Sequence, residues 1–388
     1  VARSAAILIV DFATGIRVSA PTSIMATLAR AARHGVLIKS GRAIEQLAAV
    51  DVIIFDKTGT LTRGEPEVSN VVSLNPHFSP DAVLAFAAAA EMRLRHPTAA
   101  AVVRYAEYRG VSIPQREELQ YTPGMGLVAR VEGQEIRIGS ARFMAGIGLD
   151  VGRLNGTVSR LKENGSSLVY VAINGALAGI VTYHDPVRDE SSAVVQHLRG
   201  QGIRETLIVT GDDLSTAQAV AQSLGVERVH AGVLPDEKAA VVRALQQAGH
   251  VVAVVGDGIN DSPALAVADV SISLSHAADV ARETADVLLV DSDLWGLVQA
   301  IDLARQCVGL IRQNLVVVGV PNAAALALAT VGGLSPVGST ILNNGSTIVA
   351  ALNSLRPLVV VNGQHNGHHN GQNGHLNGAI DRAIKETS

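Results

Sequence analysis

The sequence predicts an α/β protein: a parallel, doubly wound sheet, interrupted by an inserted α+β domain and flanked by apolar helices able to cross a membrane. Three observations lead there. Short β-branched runs at Val52–Phe55, 206–209, 251–255, Val270–Leu274 and 287–290 alternate with Ala-rich helical stretches, the pattern of βαβ units. Residues 68–182 change texture, with two helical patterns followed by strands that read as antiparallel. Near the far end, 315–334 and 335–355 carry no charged residue.

At 388 residues the chain has room for more than one core, since domains run about 100–200 residues. It is 48% hydrophobic, 17% charged and 3% aromatic, with a mean hydropathy of +0.28. That is more apolar than an average soluble domain and suits a membrane protein with a large soluble part. A formal net charge of -4 and an isoelectric point near 6.3 give no basic field for a nucleic-acid backbone, which argues against nucleic acid as a partner. The single cysteine, Cys307, cannot form an internal disulfide and reads as an apolar filler, which suits a cytoplasmic soluble part. The chain opens at Val1 inside an apolar stretch without a basic leader, and reads as a truncated start.

In chain order, 5–29 is apolar and small apart from Asp11 and Arg17, with Pro21 in its later half. It reads as one membrane helix within 1–41, and charges inside a membrane cost enough to point to function. The strand Val52–Phe55 opens a core domain made of 42–67 and 183–298, several of whose strands end in a carboxylate: Asp56, Asp212 and Asp257. In a parallel sheet such ends line one crevice, where these folds place their ligands. The insert, 68–182, shows helices at 81–90 and 98–109, then strands at 127–131, 135–139 and 167–180, the last turning at Asn174-Gly175. The two charge-free stretches read as a membrane hairpin within 299–361, with Arg305 and Arg312 before it and Arg356 after it. The Gly/Asn/His-rich tail, 362–388, is expected to be disordered; its His365, His368, His369 and His375 are either incidental or a regulatory metal site.

The chemistry concentrates in Asp56-Lys57-Thr58-Gly59-Thr60-Leu61-Thr62, directly after a β-branched strand. A carboxylate there can attack phosphorus, Thr58 and Gly59 leave room and donors for phosphoryl oxygens, and Mg2+ can bridge the two. This septet resembles the phosphorylation motif of P-type ATPases, whose phosphorylation domain has the haloacid-dehalogenase-like, Rossmannoid fold. Thr210-Gly211-Asp212, Pro235-Asp236-Glu237-Lys238 and Gly256-Asp257-Gly258-Ile259-Asn260-Asp261 resemble the family's next elements in order and spacing. The resemblance implies that Thr210, Gly211 and Asp212 supply a hydroxyl and backbone donors, and that Lys238 neutralises the transferring phosphoryl group. It further implies Mg2+ on Asp56, Thr58 and Asp257, with Asn260 and Asp261 holding the site together.

In the insert, Glu91 and His96-Pro97 resemble the Glu and His-Pro signature of the heavy-metal branch, which helps fix the adenine of ATP. Gly124-Met125-Gly126 resembles its glycine pair, and Gly139-Ser140 stands where the family has Gly-Asn. The resemblance implies an inserted nucleotide-binding domain holding ATP through Glu91, His96, Pro97, Gly124, Gly126, Gly139 and Ser140. Asp185-Pro186-Val187-Arg188 resembles the family hinge, with Asp185 as a domain-positioning residue.

For the transported ion, copper and zinc pumps of the branch usually carry a Cys-Pro-Cys-type motif where this chain has Phe12-Ala13-Thr14. Asn343-Asn344-Gly345-Ser346-Thr347 stands where a cobalt group has a His-Glu-Gly-Gly-Thr-like motif. Without thiolates, oxygen donors at Asp11, Thr14, Asn343, Asn344, Ser346 and Thr347 suit a harder divalent ion, with manganese, cobalt, nickel and zinc open. The same polar residues alternatively only knit helices together. The actuator domain's Thr-Gly-Glu loop and the helices before it do not occur in the sequence, so those parts are expected as partners, beside membrane lipid. The reading is an ATP-driven metal-ion exporter in a cell membrane, multi-pass, with its catalytic domains in the cytoplasm. Two alternatives are a haloacid-dehalogenase-type phosphatase, disfavoured because Thr58 replaces the acid/base Asp that phosphatases of this fold carry, and a non-transporting regulatory or binding fragment.

Overall fold

The computed structural model describes residues 2–94, 96–122, 126–162, 166–257, 261–275, 283–291 and 293–359. The tail expected to be disordered lies outside these residues. The chain forms two compact units, Ala31–Val308 and a helical unit made of Val1–Arg30 with Gly309–Ser388.

The larger unit contains two sheets, built from thirteen strands among the described residues: β1 (Val36–Ile38), β2 (Val52–Phe55), β3 (Glu67–Ser73), β4 (Arg116–Thr122), β5 (Gly126–Val131), β6 (Gln134–Gly139), β7 (Ser167–Ile173), β8 (Ala176–His184), β9 (Glu205–Val209), β10 (Arg228–His230), β11 (Val252–Gly256), β12 (Val270–Leu274) and β13 (Val287–Leu289). The first sheet runs β1-β13-β12-β11-β2-β9-β10. Its pairs are parallel except β1 on β13. Every residue of β2, β11 and β12 is buried, as near-continuous apolar strands between helical layers must be. In register, Phe55 lies opposite Ile208 on one side and Val255 on the other. The carboxyl ends of β2, β9 and β11 therefore open side by side.

The second sheet is antiparallel, in the order β3-β8-β7-β6-β5-β4. Helices Pro80–Glu91 and Pro97–Tyr108 bury Val83, Leu84, Ala87, Val102 and Ala106 in one core with Leu127, Ala129, Val131 and Ile136. The β7–β8 turn places Asn174 and Gly175 at φ 48 and 79, the geometry a tight hairpin favours. Four strands escaped the sequence reading, β1 and β10 in the first sheet and β3 and β4 in the second. β4, with sequence REELQYT, pairs with β5 alone at the sheet edge and has no apolar alternation to betray it; β3 sits at the other edge.

In the helical unit, the single helix expected over 5–29 is two, Ala2–Ile9 and Phe12–Arg33. The break falls at Asp11, whose carboxylate accepts from Ala13 N at 2.7 Å and from the Thr14 hydroxyl, the behaviour of a helix cap. Helix Trp295–Val331 runs for 37 residues, beginning well before the expected charge-free stretch, and Pro336–Ser354 follows it. Among the described residues, two segments, Ser4–Arg33 and Trp295–Val331, are long and apolar enough to cross a membrane, with mean hydropathies of 1.3 and 1.8. Helices meet closely at Gly15, where a Cβ would stand 2.7 Å from Val318 Cγ2 and 3.1 Å from Thr347 Oγ1. Asn314 donates to Ser354 Oγ at 2.8 Å, and Ser354 donates to Ser19 O at 2.9 Å.

Candidate active site

Asp56 follows β2 at the mouth of the crevice and is 8% exposed. Lys238, on the first turn of helix Pro235–Gln247, places Nζ 2.6 Å from Asp56 Oδ1 and 2.5 Å from Asp261 Oδ1. Burial, then the charges of Asp261 and, more weakly, Asp257, push the Asp56 carboxyl up to about 7, against the pull of Lys238. Burial alone would lower Lys238, but Asp56 and Asp261 outweigh it and hold its ammonium above the ordinary value. Beside this group, Lys57 pairs with Asp212 at 2.8 Å, and Asp212 Oδ2 also accepts from Thr210 Oγ1 at 3.0 Å and Thr58 Oγ1 at 3.5 Å. Asn260 lies outside the described residues.

The loop after Asp56 is held from behind. Gly59 and Gly64 both sit at φ 72, and a Cβ on Gly64 would come 3.1 Å from Gly59 Cα, so the turn needs glycine twice over. Arg188 donates from Nε to Thr60 O (2.8 Å) and Thr62 O (3.1 Å) and from Nη2 to Gly59 O (3.1 Å). Asp185 accepts from Thr62 Oγ1 at 2.6 Å and Gly64 N at 3.0 Å. Sequence reasoning passed over Arg188, whose partners are backbone carbonyls; its place in the Asp-Pro-Val-Arg quartet was the available signal.

Mg2+ fits the crevice by its donors. Among the described residues no three His, Cys, Asp or Glu side chains converge on one metal point. Mg2+ does not require that, since it commonly takes one or two carboxylates and keeps waters and phosphate oxygens for the rest. The observation that favours a cation is the charge imbalance itself: Asp56 and Asp261 share the one Lys238 ammonium, the charge of Asp257 also acts on Asp56, and the buried Asp261 Oδ2 is left without a partner.

A cavity of about 250 Å³ in the insert brings Glu91, His96, Gly126, Gly139 and Ser140 together. Pro97 begins the adjoining helix without lining the cavity, and Gly124 lies outside the described residues. Glu91 is 6% exposed, its Oε2 has no partner, and burial pushes its carboxyl up to about 7. His96 caps its helix, with Nδ1 accepting from Thr98 N at 3.3 Å. Ser140 likewise caps Ala141–Gly146, accepting from Phe143 N at 3.2 Å. The glycines have a packing reason of their own: a Cβ at Gly126 would lie 2.6 Å from Ile138 O, and at Gly139 it would strike the Phe143 ring. Sequence reasoning missed Leu94, Thr98 and Tyr183 in the lining. Tyr183 arrives from β8, and burial, then Asp212 and Glu91, raise its phenol.

In the helical unit, Asp11 N donates to Asn343 Oδ1 at 3.0 Å, which brings Asp11, Thr14 and Asn343 together. Ser346 and Thr347 donate to Asn343 O at 2.9 and 3.0 Å, and Asn344 is exposed. Asn322, absent from the sequence reading, is fully buried, donates to Asp11 O at 3.5 Å and leaves its Oδ1 without a partner.

Residues 50–269 match the family of haloacid dehalogenase-like hydrolases. The chain is 41% identical over 358 residues to a manganese-exporting P-type ATPase of Mycobacterium tuberculosis, covering 92% of this chain and 50% of that protein. It is 40% identical to a zinc-exporting P-type ATPase of Mycobacterium marinum, covering 92% and 49%. The chain belongs to the haloacid dehalogenase-like hydrolases, in their heavy-metal P-type ATPase branch. A crystal structure of a zinc-transporting PIB-type ATPase in its E2.Pi state superposes with a TM-score of 0.73 at 36% identity, over 89% of this chain and 56% of that one. The chain thus spans about half the length of the P-type ATPases it matches. Those relatives are named for different ions, so membership of the branch leaves the ion open.

Proposed function

We propose that this chain is the catalytic part of a pump that exports a divalent transition-metal cation using ATP, through an aspartyl phosphate at Asp56. The observation that carries this is a buried carboxylate at a strand end, held by Lys238 and followed by a loop that Arg188 and Asp185 fix in place. In this reading an Asp56 oxygen attacks the γ-phosphorus of ATP, the bond to the β,γ-bridging oxygen breaks, and ADP leaves. Lys238 offsets the charge on the transferring group, while Thr58 and Thr210 offer hydroxyls and Asp212 orients Lys57 and Thr210. Asp56, Asp257 and Thr58 would hold Mg2+, which when bound supplies charge neutralisation at the phosphate oxygens.

Glu91, His96 and the cavity around them receive the adenine. The buried, unpartnered Glu91 Oε2 can accept from its exocyclic amino group. Residues 42–67 and 183–298 then act as the phosphorylation domain and 68–182 as the nucleotide-binding domain, both on the cytoplasmic face of a cell membrane. The ion passes at Asp11, Thr14, Asn322 and Asn343, whose oxygens suit a hard divalent cation more than Cu(I). The remaining membrane and actuator parts of the pump supply what this half does not carry.

The test is a labelling experiment with Mg-[γ-32P]ATP and Mn2+, Co2+ or Zn2+ in lipid. The wild type should form an acid-stable, hydroxylamine-labile label that Asp56→Asn abolishes while still binding ATP. Undiminished label in Asp56→Asn would remove Asp56 from the reaction.

A further inference from the structure

The insert has a second cavity that adenine binding does not use. Its volume is about 270 Å³, and it is lined by Met92, Arg93, Ile113, Pro114, Gln115 and Arg116. Among the described residues that line it, the only charged groups are two guanidiniums. Arg116 donates through Nη1 to Ala90 O at 2.8 Å and Met92 O at 2.7 Å, closing the end of helix Pro80–Glu91, and its Nε and Nη2 are left without a described partner. Burial and then the charge of Arg93 lower Arg116, and no carboxylate counters them. Two cations therefore face one partly apolar space.

The backbone adds a second observation. Arg93 sits at φ 67, a conformation that side-chain-bearing residues rarely adopt. It is held there by its neighbours, since Met92 N bonds Ala88 O at 2.9 Å and Leu94 N bonds Glu91 O at 3.1 Å. The chain accepts a strained residue to put an arginine on this cavity wall, where it raises electrostatic repulsion and makes no described ion pair of its own.

We infer that this cavity binds a small organic anion, with a phosphate or carboxylate group between Arg93 and Arg116 and an apolar portion against Met92, Ile113 and Pro114. An anion there relieves the like-charge repulsion and takes charge-assisted hydrogen bonds from two forks, the geometry in which guanidinium outperforms ammonium. The three apolar side chains favour a ligand larger than inorganic phosphate, as does the volume. The site is separate from the adenine cavity, though adjacent in sequence: Glu91 and Leu94 line that one, Met92 and Arg93 this one.

The experiment is calorimetric titration of the full chain with phenylphosphonate, an anion with an apolar ring and no transferable phosphoryl group, with and without saturating ATP. The wild type should bind the probe in both conditions, more tightly than inorganic phosphate. Arg93→Gln should weaken it about tenfold, the order expected for one charge-assisted hydrogen bond, with ATP affinity unchanged. Arg93 is exposed, so its replacement tests binding and not folding. Equal probe affinity in wild type and Arg93→Gln would overturn the inference. So would competition by ATP, which would place the probe in the adenine cavity or the crevice. If ATP fails to bind the wild type while the probe still binds through Arg93, the nucleotide reading fails and this inference stands.

Discussion

Asp56 and Glu91 are two buried carboxyl groups that both rise to about 7, one in the crevice and one in the insert cavity proposed for adenine (the adenine cavity). Around Asp56, burial acts with two like charges, and a lysine opposes them. Around Glu91, burial acts alone. The crevice is thus a place where charge is crowded together and balanced by a cation, the setting the proposed phosphoryl transfer needs. The adenine cavity is a place where water is excluded and a single acceptor is left waiting. A charge change should disturb the first most when a partner is removed, and the second most when the carboxylate itself is removed.

The sharpest way to break this contrast is Lys238→Met. It leaves Asp56 and Asp261 buried without their shared cation, and removing one partner of a buried pair typically costs about 3–5 kcal/mol. Urea unfolding at pH 8 should show that loss, and the loss should shrink toward pH 5 as the carboxyls take up protons. A wild-type midpoint at pH 8 would mean that Lys238 balances nothing.

Glu91→Gln should do the reverse. The folded value of Glu91 lies above its ordinary 4.5, so its contribution is fully present below about pH 4.5 and is lost as the pH rises through about 7. At pH 8 the neutral amide should therefore stabilise the fold by about 3 kcal/mol, taking about 1.4 kcal/mol per pH unit of displacement. The difference should fade at pH 4.5. A constant offset across pH would show that Glu91 is not held neutral by burial.

The smallest effect separates two jobs of one side chain. His96→Ala removes the cap as well as a wall of the adenine cavity, and should cost about 1 kcal/mol of stability. His96→Asn restores a capping oxygen without the ring. ATP affinity measured by calorimetry should fall in both, whereas thermal stability should recover only in the second. Wild-type ATP affinity in both would take His96 out of the adenine site.

How much of this was legible in the sequence depends on the range of the interaction. Five of the seven strands of the first sheet could be read because they are short apolar runs, each sufficient in itself, whereas β1 and β10 were not read. The septet after Val52–Phe55 could be read because seven neighbouring residues carry it. Lys238 stands 182 positions from Asp56, and only the family order linked them before the 2.6 Å contact was visible. Arg188 could be read only as the last residue of the Asp-Pro-Val-Arg quartet, without a role, because the carbonyls it holds are ones every residue has. Tyr183 and Thr98 reach the adenine cavity through sheet register and helix packing, neither of which is local. The break at Asp11 could not be read from hydropathy, which counts a carboxylate as an interruption without saying that it caps the next helix.

The most direct measurement of the central claim is chemical identification of the phosphorylated residue. The protein is incubated with Mg-ATP and the activating ion in lipid, quenched in acid, reduced with borohydride to trap the acyl phosphate, and sequenced by mass spectrometry. The reduced residue should lie at position 56, in the peptide that continues Lys57-Thr58-Gly59, and should be absent when hydroxylamine is added before reduction. A trapped residue at Asp212, Asp257 or Asp261, or an acid-stable label that resists hydroxylamine, would contradict it.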